Sequence, residues 1–152
     1  PIRWVYCASP RYLKTRGEPL RPSDLVNHRC LAYPAMMPNG LWSFRRDGQV
    51  EEIKISPVMI CNSSSAILQA VLSDQGIACL PTYVASKSIV AKEVSLVLPQ
   101  YRAATSHTLY AMYFKSKHGN PLIRSFLDFI ADEIGDKAPW DMEIERALGV
   151  TV

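Results

Sequence analysis

No apolar run in this chain approaches the length of a membrane span, and no signal-peptide pattern of charged, apolar and small residues opens it. There is no C-x-x-C, no H-E-x-x-H, no G-x-S-x-G and no glycine-rich phosphate loop or dinucleotide fingerprint. These gaps remove the readable signatures of zinc modules, serine hydrolases and nucleotide-dependent enzymes. Only three histidines are present, and none falls in a triad pattern. A formal net charge of +3, with dispersed basic residues and an acidic tail after Asp132, is too weak to argue a nucleic-acid surface.

What is present is an ordinary core. Of 152 residues, 48% are hydrophobic and 20% charged, enough for one domain or two small lobes. Cys7, Cys30, Cys61 and Cys79 lie far apart in apolar contexts. They read as small core residues in a reducing compartment, which points to the cytoplasm, although spacing alone leaves a disulfide open. The chain starts at Pro1, at the mouth of an expected strand, and domains seldom begin so abruptly. The reading is of a fragment.

Short apolar runs alternate with helical patterns, which implies an α/β fold. Strands are expected over Arg3–Ala8, Arg29–Tyr33, Pro57–Cys61, Ile77–Leu80, Val94–Leu98 and His107–Phe114. Between "LWSFRR" and "QVEEIKI", Asp47-Gly48 signals a hairpin that puts Trp42 and Phe44 on one face. Helices are expected after Pro10 and Pro22, over Ser64–Asp74 with Gly76 as the stop, and from Thr82. The strongest runs from Pro121 to Ile134, capped by Asn120 and stopped by Gly135. "DMEIERALG" reads either as a last short helix or as a tail.

Candidate sites sit where strands stop. "CASP" offers Cys7 and Ser9, but a nucleophile needs a base, and the chain end of a strand explains the segment better. At Asn62-Ser63-Ser64 a strand gives way to a helix, whose free N–H groups favour anions. Helix capping explains one of these residues well; ligand contact would explain all three. Pro81 and Tyr83 follow another strand, at the kind of position where open α/β sheets bind ligands. Glu51 and Glu52 alternate across a strand and form no dyad.

The order of blocks "VYCASPRYL", "GEPLRPSDLVNHRCLAY", "LWSF" with "DG", "ICNSSSAILQAVLSDQGIACLPTYVA", "LVLPQYR", "LYAMYF" and "PLIRSFLDFIADEI" resembles the effector-binding domain of LysR-type transcriptional regulators, from Trp4 to Ile134. The resemblance implies a two-lobed fold similar to type 2 periplasmic binding proteins. Residues 1–9 would form the first crossover, 10–97 a nearly complete second lobe, 98–106 the second crossover, 107–135 the returning part of the first lobe and 136–152 a tail. The rest of the first lobe and the N-terminal winged helix-turn-helix that binds DNA would lie outside the chain. A small effector, a carboxylate or another polar metabolite, would meet Ser9, Asn62, Ser63, Ser64, Pro81 and Tyr83. No cofactor, metal or membrane is implied.

The resemblance also implies a homo-oligomer. Ser64–Asp74 and Ile77–Leu80 match the family's dimer face, and Leu109, Tyr110, Phe126 or Ile130 would need cover. One departure is Lys92-Glu93, where the family often carries a glycine before the next strand. A periplasmic solute-binding protein of the same fold and an enzyme with a cysteine nucleophile are the rival readings.

Overall fold

The structure, a computed structural model, describes residues 2–105, 107–114 and 120–150. The pattern "KSKHGN" at 115–120 also reads as a loop, and its residues 115–119, His118 among them, lie outside the described residues. Strand β1 is Trp4–Ala8. Helix α1, Pro10–Arg16, follows at once, because Ser9 Oγ accepts the Tyr12 N–H at 3.0 Å and Pro10 takes the first helical position. The expected second helix is a 3-10 turn, Pro22–Asn27. Strand β2 is Cys30–Ala32, and β3, Leu41–Arg46, pairs with β4, Gln49–Lys54. Their turn has φ 50° at Asp47 and 79° at Gly48, the doubly left-handed geometry that suits twisted hairpins.

Strand β5, Pro57–Ile60, leads into α2, Ser64–Leu72. Strand β6, Ile77–Pro81, runs directly into α3, Thr82–Val90. Two short strands follow, β7 at Ser95–Leu96 and β8 at Arg102–Ala103. Helix α4 is Pro121–Ile134 and α5 is Pro139–Leu148.

The main sheet has the order β5-β2-β6-β1-β7, and a second sheet the order β4-β3-β8. Strands β2, β5 and β6 run parallel, and β1 lies antiparallel to β6 and β7. Alternation along the strands builds two cores. Tyr6, Ala8, Ile77 and Cys79 pack with Trp42 and Phe44 of the hairpin. Val5, Cys7, Ala78 and Leu80 face the opposite way, against Ile67 and Val71 of α2, Ala85 and Ile89 of α3, and Ile144 of α5. The result is three layers: hairpin sheet, main sheet, helices.

Four expectations change. The strand expected over His107–Phe114 does not form: His107 makes one bridge, to Ile2, and the rest is irregular. Among the described residues no strand lies beside it, and a lone strand leaves its backbone groups unpaired. Leu109, Tyr110 and Phe126 are exposed as anticipated. The strand expected over Val94–Leu98 shrinks to Ser95–Leu96, because Leu98 turns left-handed at φ 53°. Gly76 does not stop α2; Asp74, at φ 61°, turns the chain. Gly76 is needed for close approach instead, since a Cβ there would lie 2.3 Å from the Arg29 carbonyl oxygen. Finally, Ile77–Leu80 is buried throughout at the centre of the sheet, so it has no face to give a dimer partner.

The departure at Lys92 has a structural counterpart. Lys92 sits at φ 60°, the region a side chain resists and glycine accepts. Lys92→Gly is expected to raise stability by up to about 1 kcal/mol, despite the added freedom of the unfolded chain. Urea midpoints of the two proteins check it. A lower midpoint for the glycine variant would mean that the turn carries no strain.

Candidate functional site

Strands β2, β5 and β6 are parallel, so their carboxyl ends share one end of the sheet. Register places Trp4, at the entering end of β1, beside Pro81 there. Two helices of nine residues, α2 and α3, start at this same end. Their first turns turn partial positive charge toward it. Ser63 caps α2, its Oγ accepting the Ala66 N–H at 3.3 Å. Asn62 is exposed and Ser64 half-buried, and neither side chain is consumed as the cap. Pro81 is buried as the cap residue of α3, and Tyr83 is 48% exposed one residue into the helix.

Five of the six residues singled out from the sequence therefore lie at one end of the sheet: Asn62, Ser63, Ser64, Pro81 and Tyr83. Ser9 does not join them. It lies five residues beyond Trp4 on a strand that runs the other way, about 17 Å from the Pro81 end at ~3.3 Å per residue. It is also 4% exposed and fully engaged: it caps α1 and donates a 2.6 Å hydrogen bond to Asp74 Oδ1. Its role is to tie α1 to the turn after α2.

The strand end has further members that carried no sequence signal. Trp4 stacks obliquely between Tyr33 and His107, with ring centroids 5.5 and 5.3 Å away. Trp4 Nε1 and His107 Nδ1 are buried without a hydrogen-bond partner. The Arg3 carbonyl accepts both the N–H and the hydroxyl of Thr82, at 3.0 and 3.3 Å. Trp140 of α5 meets Tyr83 edge-on at 6.1 Å. Aromatic type alone did not separate these residues from core.

Nucleophilic chemistry finds little support in the geometry. Cys7 is fully buried, and burial pushes its thiol up to about 12, so no thiolate forms near neutrality. Cys30 is raised to about 12 for the same reason. His28 faces Tyr12, and His107 faces Trp4. All four thiols are free. Among the described residues no group of three His, Cys, Asp or Glu is placed to hold a metal ion. No helix among them is long and apolar enough to cross a membrane.

The family model for the LysR substrate binding domain matches residues 1–135. The chain is 29% identical over 136 residues to the probable HTH-type transcriptional regulator LtrA of Klebsiella pneumoniae, covering 88% of this chain and 44% of that one. It is 31% identical over 134 residues to the HTH-type transcriptional regulator CrgA of Neisseria meningitidis, with the same two coverages. The regulatory domain of CrgA, a LysR-type transcriptional regulator, superimposes with a TM-score of 0.76 at 30% identity, over 88% of this chain and 65% of that domain. Full-length AphB of Vibrio cholerae shares the fold, with a TM-score of 0.73 at 20% identity. The chain thus spans less than half the length of the curated relatives it matches. The layered α/β architecture is that of the periplasmic-binding-protein-like regulatory domains, and the chain belongs to the LysR substrate-binding domain family.

Proposed function

We propose that this chain senses a small anionic or polar metabolite at the common end of β2, β5 and β6, and passes the signal to a DNA-binding domain. The observation that carries the reading is that two helix N-termini, with Asn62, Ser63, Ser64 and Tyr83, open at that one end. Unpaired N–H groups and hydroxyls suit a carboxylate. The relatives are HTH-type transcriptional regulators, so the DNA-binding part is a helix-turn-helix outside these 152 residues. Residues 1–9 and 98–106 then act as crossovers between lobes. The effector acts through its difference in affinity for two lobe arrangements, and no covalent chemistry is needed. The protein works in the cytoplasm as a homo-oligomer, and the exposed apolar residues of α4 and the segment before it are covered there.

The reading is tested on the intact regulator. A thermal-shift screen of small carboxylates supplies a ligand, and Ser64→Ala and Tyr83→Ala are then compared with the parent. Ser64 is preferred to Ser63, because Ser63→Ala also removes a helix cap worth about 1 kcal/mol. Losing a hydrogen bond to a charged ligand weakens binding by about 10- to 100-fold. DNA affinity without effector stays at the parent value. A parent-like effector response in both variants would remove the site from this end of the sheet.

A further inference from the structure

The family match ends at residue 135, and α5 begins at Pro139. Yet α5 is no loose tail. Ile144 is fully buried in the helix-side core, beside Ala85 and Ile89 of α3. More unusual is the residue one turn earlier: Asp141 is 3% exposed. Its Oδ2 lies 3.4 Å from Arg3 Nε, and Glu145 Oε1 lies 3.6 Å from Arg3 Nη1. Lys137, just before the helix, pairs with Glu145. Two cations and two carboxylates thus balance across the contact.

We infer that α5 is a clasp, which ties the entering end of β1 to α3 and sets the resting position of the crossover. Packing alone does not call for a buried carboxylate. A leucine at 141, branched like aspartate but carrying methyls in place of the carboxylate oxygens, would hold a helix to α3 as well or better, because buried ion pairs repay their desolvation poorly. What a buried pair supplies is register. Here the register is that of Arg3, whose backbone is held by Thr82 of α3 and whose side chain is held by α5. The neighbouring Ile2 N–H donates to the His107 carbonyl, so the incoming and outgoing chain segments meet at this same point. The clasp also has slack: Asp141 Oδ1 is buried without a hydrogen-bond partner, and Arg3 Nη1 meets Glu145 Oε1 only as an ion pair at 3.6 Å. A small shift of β1 against α5 changes how these atoms are satisfied, so the contact is sensitive to crossover position. Through Trp140 the same helix borders Tyr83 of the candidate site.

The consequence for sensing rests on the two-lobed reading, but the clasp is tested without any effector. Failure of one therefore leaves the other standing. Hydrogen–deuterium exchange of the intact protein follows two amides: Thr82, which donates to the Arg3 carbonyl, and Ile2, which donates to His107. In Asp141→Leu, α5 stays protected while Thr82 and Ile2 exchange about tenfold faster. Unchanged exchange at both amides, with α5 protected, overturns the clasp. If Asp141→Leu instead opens α5, Arg3→Lys decides, since it leaves α5 and the charge intact but removes the guanidinium fork. Faster exchange at Thr82 and Ile2 in Arg3→Lys supports the clasp, and parent-like exchange at both amides overturns it.

Discussion

Trp42→Ala costs the domain about 3–5 kcal/mol, a large part of a total that is ordinarily about 5–15 kcal/mol. Trp42 and Phe44 are both fully buried, though they sit on a hairpin whose second strand is almost entirely exposed. The hairpin is held by one face. Tyr6 of the main sheet stacks on Phe44 at 4.2 Å and tilts against Trp42 at 5.3 Å. Its hydroxyl donates to the Ser43 carbonyl at 3.1 Å. A two-stranded ribbon is marginal alone, so removing the indole loosens the whole β3–β4 unit from the main sheet. Trp42→Phe should cost far less, under about 2 kcal/mol. It keeps most of the volume and removes an Nε1–H that is buried without a partner. Urea unfolding of the two variants measures both losses. Equal losses, or a loss below about 1.5 kcal/mol in Trp42→Ala, would mean the hairpin is not part of the cooperative core.

That hairpin was legible in the sequence, and the reasons show what else could be read. Asp47-Gly48 between alternating runs is a local signal with a local cause, and so are the Asn120-Pro121 start and Gly135 stop of α4. Asn62-Ser63-Ser64 and Pro81-Tyr83 were found in the same way, since a strand followed by a helix start is written in adjacent residues. Ser9 was misplaced because nothing local reports that β1 runs against β6. A strand end is visible in sequence; which end of the sheet it joins is not. His107–Phe114 has a strand's composition, but pairing is a long-range event, and the described residues offer it one bridge. The same limit hid Arg3 and Trp140. Arg3 reaches Thr82 across 79 positions, and the acids that hold its side chain lie farther still. Gly76 was noticed for the wrong reason: its backbone freedom suggested a helix stop, while the Arg29 carbonyl actually forbids a side chain.

Alkaline solution is expected to unfold the domain well before its backbone or its surface charges would require. Burial raises Cys7 from 9.0 to about 12 and Cys30 likewise to about 12. Cys79 is pushed well above 9.0 by burial and then by the neighbouring Cys7, and Tyr6 is raised by burial and then by Cys79. Each of these groups is held neutral in the folded chain and ionises more readily in the unfolded one. The folded state therefore binds more protons above pH 9, and stability falls as pH rises. The contribution is fully present below about pH 9 and is lost progressively toward about pH 12. A rise of this size corresponds to about 4 kcal/mol per thiol, so two thiols rival the whole stability of an ordinary domain. Urea midpoints under reductant should be level near neutrality and fall steeply above pH 9. Cys7→Ala with Cys30→Ala should lower the neutral midpoint modestly, by loss of packing, but flatten the alkaline fall. An alkaline fall of the same steepness in parent and double variant would place the cause elsewhere than in these buried thiols.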